Sequence, residues 1–133
     1  MKISGQKPGI RNGNIDTNIL IELYRGNQTV KDETALIKSN VFYISSITVA
    51  EFMVGAKDKR DLKLIEKQLS KYTAIPINTD ITDIFIDLFK TLTLSHRPGI
   101  ADTLIAATAL YYHLPLYTHN KKHFQFIPGI QLL

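Results

Sequence analysis

Residues 100–113, IADTLIAATALYYH, are apolar on almost every side. Ile100, Ala101, Leu104, Ile105, Ala106, Ala107, Ala109 and Leu110 leave no polar stripe for solvent, and a helix of that kind belongs in the middle of a fold. Pro98-Gly99 breaks the chain just before it, and LPLYT at 114–118 follows as a short core strand. A central buried helix joined to a short strand needs a sheet to pack on, and the remaining segments supply one.

VFYISS at 41–46 is β-branched and aromatic, which suits a strand, and AIPI at 74–77 is another strand candidate whose Pro76 suits a sheet edge. Helical segments lie between them. Ile19, Leu20, Leu23 and Tyr24 follow the Asp16-Thr17-Asn18 cluster and stop at Gly26-Asn27, and residues 29–38 form a weaker helix candidate. ITVAEFMVGA reads as a helix ending near Gly55, and Leu62, Ile65, Leu69 and Tyr72 recur at helical spacing. Ile81, Ile84, Phe85, Leu88, Phe89 and Leu92 make an apolar face of about four turns. Strands alternating with helices imply parallel pairing through right-handed crossovers, hence an α/β fold: a three-layer α/β/α sandwich around a mainly parallel sheet. Residues 1–14 read as a flexible or irregular lead-in, and 15–133 as a single domain.

The chain has no cysteine, which excludes a disulfide framework, a Cys-ligated metal centre and a thiol nucleophile. No apolar run reaches the roughly 18–20 residues of a membrane span, and MKISGQKPGI has no secretory apolar core, so a cytoplasmic address is expected. The formal charge of +4 favours acidic partners such as nucleic acid.

Three acids stand out: Asp16, Glu51 and Asp102, each beside a strand end or opening a helix behind an apolar segment. In an open α/β sheet the strand carboxyl ends gather at one edge, where ligands bind, so acids distant in sequence can meet there. Clustered carboxylates repel and call for a cation. Oxygen ligands without Cys favour Mg²⁺ or Mn²⁺ over zinc, and Mg²⁺ keeps several waters, one of which can attack a phosphodiester. Each acid also has a structural explanation. Asp16 can cap a helix, Thr48-Val49-Ala50-Glu51 is a capping-box pattern, and Asp102 in a first turn complements the helix dipole.

At these residues the sequence resembles the PIN-domain family, and within it the VapC-type toxins. The matching segments are DTNILIEL from Asp16, ISSITVAEF with Gly55 beyond it, GIADTLIAATA from Gly99, and LYTHN from Leu116 with His123-Phe124 and Ile127-Pro128-Gly129-Ile130 following. Four motifs in order, covering about residues 15–133, make the resemblance specific. It implies a metal-dependent endoribonuclease, the toxin of a bacterial toxin–antitoxin system. Asp16, Glu51 and Asp102 would bind Mg²⁺ or Mn²⁺, with Asn18 and Thr118 orienting them. RNA, with transfer RNA as one candidate, is the implied substrate, and a cognate antitoxin and a second copy in a homodimer are the implied partners.

Two departures accompany the match. Asn120 stands where the family often has a fourth acid and is by that resemblance a fourth catalytic candidate, whose amide oxygen can accept from metal-bound water although it can neither act as a base nor offset charge. Asn12-Gly13-Asn14-Ile15 precedes Asp16, although a central strand should be a hydrophobic run. The competing reading is therefore a catalytically weak or inactive PIN-fold module that binds RNA or antitoxin. Phosphoryl transfer through Asp16 is a third reading, against which Asn18 stands two residues on. The basic turn His119-Asn120-Lys121-Lys122-His123, with His96 and Arg97, either holds RNA phosphates or is solvated surface. Tyr111 and Tyr112 are read as core residues, and Leu20, Tyr24, Phe52, Met53 and Val54 as core or partner surface.

Overall fold

The computed structural model describes residues 11–37 and 39–133. Its elements run β1 (Arg11–Ile15), α1 (Thr17–Tyr24), α2 (Gln28–Leu36), β2 (Ser39–Ser45), α3 (Ser46–Val54), α4 (Lys59–Leu69), β3 (Thr73–Ile75), α5 (Thr79–His96), α6 (Ile100–Tyr112) and β4 (Leu116–Tyr117), followed by a 3₁₀ turn over Lys121–His123. The strands form one sheet in the order β3-β2-β1-β4, and every pairing is parallel. Ile15, Ile19, Leu20, Ile44, Phe52 and Ile65 close a core on one face, while Ile81, Leu88, Ile105, Leu116, Phe124 and Ile127 close a second on the other. Two cores flanking one sheet are the three layers expected of the alternating pattern.

The first strand corrects the expected lead-in. Residues 1–10 of that segment lie outside the described residues, but 11–14 are strand and sit at the centre of the sheet. Asn12 and Gly13 are poor strand formers, yet pairing of β1 with β2, and of its last two residues with β4, supplies what propensity does not. The amide of Asn14 donates to the Pro115 carbonyl (2.9 Å) and that of Asp16 to Tyr117 (3.0 Å). The weak start survives as a register shift against β2 between Arg11 and Gly13. Asn14 is fully buried, and neither atom of its amide finds a hydrogen-bond partner among the described residues.

α6 occupies the position that its sequence requires. Ile105, Ala106, Ala107, Thr108 and Ala109 are buried on it, and Ala106 and Ala107 share one core with Ile81, Leu88 and Leu92 of α5. A larger side chain at Ala106 would overpack that contact at a cost of about 1–3 kcal/mol. α5 spans Thr79–His96, longer than its apolar face indicated, because Asn78 caps it by accepting from the Ile81 amide at 2.8 Å. β3 is an edge strand, and Pro76 follows it directly. Both α5 and α6 end on left-handed residues, Arg97 (φ 45°) and His113 (φ 56°). Among the described residues no helix is long and apolar enough to cross a membrane.

Candidate active site

Asp16 directly follows β1, the strand flanked by β2 and β4, and the residue is almost wholly buried. It occupies the N-cap position of α1, but its side chain caps nothing. Instead Thr118, just past β4, donates its hydroxyl to Asp16 Oδ2 at 2.8 Å and accepts from the Asn120 amide at 2.9 Å. Glu51 lies on α3, whose N-cap is Ser45, so Thr48 and Glu51 are not the capping box that their spacing resembled. Thr17 Oγ1 lies 2.7 Å from Glu51 Oε1 and 3.1 Å from the Thr48 hydroxyl. A hydroxyl has one proton to give, and the carboxylate is the stronger acceptor, so Thr48 donates to Thr17 in turn. Asp102 lies in the first turn of α6, with His123 Nδ1 3.2 Å from its Oδ2.

Burial is the main influence on Asp16 and pushes its pKa above the usual carboxylate value. The hydrogen bond from Thr118 opposes that rise, the charges of Asp102 and Glu51 reinforce it, and the Thr17 amide lowers it. The three sequence-designated acids therefore share one electrostatic neighbourhood. They are not gathered into a closed cage: among the described residues no three His, Asp or Glu side chains are close enough to hold an ion together. Glu51 is engaged by Thr17 and Asp102 by His123.

Asn18 is exposed on α1, and no hydrogen bond among the described residues joins it to the acids. The hydroxyls that touch them belong to Thr17 and Thr118. Thr17 lies inside the motif read from the sequence, but a threonine between Asp and Asn carries no sign that it reaches a second acid. Asn120 is half-buried, and its contact to the site is the backbone one to Thr118. A second feature was unforeseen. Glu33 on α2 accepts from Tyr117 Oη and His119 Nε2 through the same Oε2, each at 2.6 Å. Those donors hold its carboxyl group below the usual range, Tyr117 contributing most, while burial and Glu33 push the Tyr117 phenol far up. A groove of about 680 Å³ opens there, with Glu33, Leu36, Tyr117, Thr118, His119 and Lys121 among its walls.

The exposed cations Lys121 and Lys122 follow Asn120, and His96 stacks on Phe126 with ring centroids 4.5 Å apart. Tyr111 and Tyr112 pack, partly buried, against the core. Of the five apolar residues weighed as partner surface, Leu20 and Phe52 are core, Tyr24 and Met53 pack against it, and Val54 is 85% exposed.

The PIN domain model matches residues 14–127, a span containing Asp16, Glu51, Asp102 and Asn120. The chain belongs to the PIN domain family, among its VapC-type members. This PIN domain is 31% identical over 127 residues to a protein named ribonuclease VapC of Rickettsia bellii, covering 90% of this chain and 92% of that one. It is 33% identical over 131 residues to ribonuclease VapC1 of Rickettsia felis, with the same coverage of each, 90% and 92%. Among solved structures, a toxin–antitoxin complex from Klebsiella pneumoniae contains a chain that superposes with a TM-score of 0.76 at 34% identity, covering 89% of this PIN domain and 94% of that chain. VapBC-1 from nontypeable Haemophilus influenzae gives a TM-score of 0.80 at 28% identity, with 92% and 96% covered.

Proposed function

We propose that this PIN domain is an endoribonuclease dependent on Mg²⁺ or Mn²⁺, acting as the toxin of a bacterial toxin–antitoxin pair. One observation carries the reading: a buried carboxylate, Asp16, at the carboxyl edge of a parallel sheet, with Asp102 and Glu51 adding negative potential to it. Such a group is tolerable when protonated or when a cation sits beside it, and an all-oxygen donor set selects a hard dication. Asp16, Glu51 and Asp102 are the residues that would hold it, the ion drawing together side chains that without it stand too far apart to form a closed site. Bound there, the ion supplies positive charge against the negative charge that develops on a phosphodiester during hydrolysis.

The chain's own groups do the positioning. Thr118 fixes one oxygen of Asp16 and Thr17 one oxygen of Glu51, so each acid keeps its other oxygen for a ligand. Exposed Arg97, Lys121, Lys122 and His123 flank Asp102 in the chain or in space, and attract the phosphate backbone. The solved relatives that are toxin–antitoxin complexes support a cognate antitoxin as partner. RNA, with transfer RNA as a candidate, a homodimeric state and a cytoplasmic setting complete the proposal.

A second reading, a PIN-fold module that binds RNA or antitoxin without turnover, draws on Asn120 and on the engagement of Glu51 by Thr17. Incubating purified protein and structured RNA with Mn²⁺ or Mg²⁺ separates the two. Cleavage by wild type that is lost in Asp102→Asn and with a chelator is the expected result. RNA bound but intact in every sample would leave the binding module.

A further inference from the structure

Thr118 is the side chain that holds Asp16, and its two chain neighbours are both held by Glu33. Side chains alternate along an extended segment, so Tyr117 and His119 project away from the side on which Thr118 meets Asp16. There they converge on a single oxygen of Glu33, 84 and 86 residues away in sequence. The Tyr117 carbonyl also accepts from the Asp16 amide at 3.0 Å. A carboxylate suits this place because it accepts from both donors and brings none of its own. Glutamine could turn its one carbonyl oxygen to the same two donors, so removing the contact requires a side chain with no acceptor.

We propose that Glu33 is a positioning residue for the active site. It anchors α2 to both neighbours of Thr118, and so sets the point from which the Thr118 hydroxyl orients Asp16. The kinetic consequence rests on the nuclease reading; the structural one does not. Releasing Tyr117 and His119 loosens residues 116–120, misaligns Thr118 and lowers turnover without weakening RNA binding.

The test compares wild type, Glu33→Ala, Tyr117→Phe and the double variant E33A/Y117F. Glu33→Ala is expected to lower kcat on the order of tenfold with KM little changed, the range seen when outer supports of a metal site are removed. The double variant should lose no more than Glu33→Ala alone, because both substitutions break one network. Amide hydrogen exchange should quicken at residues 116–120 and stay unchanged in α4 and α5. If Glu33→Ala does not fold, His119→Ala at an exposed position removes the second tether and must show the same local exchange effect. Unchanged kcat with unchanged exchange overturns the proposal. So does a raised KM at constant kcat, which would mean that Glu33 meets RNA in the groove. If wild type itself leaves RNA intact, the nuclease reading fails and the exchange measurement alone decides the role of Glu33.

Discussion

Thr17 places its hydroxyl 2.7 Å from Oε1 of Glu51, a residue 34 positions further along the chain. The residue beside the first acid thus holds the second, and two elements on one face of the sheet, α1 and α3, are joined by a bond between site residues. Thr17→Val keeps the shape and removes the donor. Cleavage should fall about 10–100-fold while RNA binding persists, and Thr17→Ser should restore most of it. Valine cleaving RNA at the wild-type rate would show that Glu51 needs no such support.

Asp16→Asn separates the cost of the site from its use. Because folding raises the Asp16 pKa, the folded chain holds that proton more tightly than the unfolded one. Stability therefore declines as pH climbs from the ordinary value of 3.8 through the raised folded value. In chelator-treated protein the Asn variant should be more stable at pH 7, by about 0.5–2 kcal/mol, and the gain should vanish in acid. Cleavage should be abolished. Equal melting temperatures at pH 7 would contradict the electrostatic account of this residue.

Asn14 gives a test away from the chemistry. It is fully buried on the central strand, with no partner for either amide atom among the described residues. Asn14→Leu, close in shape, should raise unfolding free energy by about 1–3 kcal/mol and shift the urea midpoint without changing its slope. A loss of stability would mean that bound water satisfies the amide.

The two left-handed helix ends should respond alike in stability and differently in binding. Arg97 and His113 each adopt a backbone conformation that glycine enters freely, so Arg97→Gly and His113→Gly should each stabilise by about 1 kcal/mol. Only Arg97→Gly removes a cation before the end of α6 that carries Asp102, whereas His113 caps the opposite end of that helix. Its RNA affinity should fall and depend less steeply on salt, while His113→Gly binds as wild type does.

Much of this molecule was legible in its residues, for reasons that differ by element. α6 announced itself because an all-apolar helix has one place to go, and the parallel order followed from strands alternating with helices. Asp16, Glu51 and Asp102 stand out as candidates through their motifs, and the structure supplies why ordinary capping does not account for the first two: Asp16 caps nothing, and Ser45 rather than Thr48 opens α3. β1 was hidden because Arg11, Asn12 and Gly13 have little strand preference, and their conformation comes from pairing with β2. Glu33 was hidden more deeply. Its bonds to Tyr117 and His119 depend on how α2 packs beside the end of β4, and no local pattern encodes a contact across 84 residues.

The hydrogen bond from Thr118 to Asp16 spans 102 positions of sequence. Asp16 is among the first residues of the domain to be synthesised, yet its backbone amide and its carboxylate both wait for residues 117 and 118. A nascent chain that stops short of them lacks the surroundings that define its first acid. Such a fragment should be harmless to the RNA around it, so that the hazardous edge of the molecule is finished last.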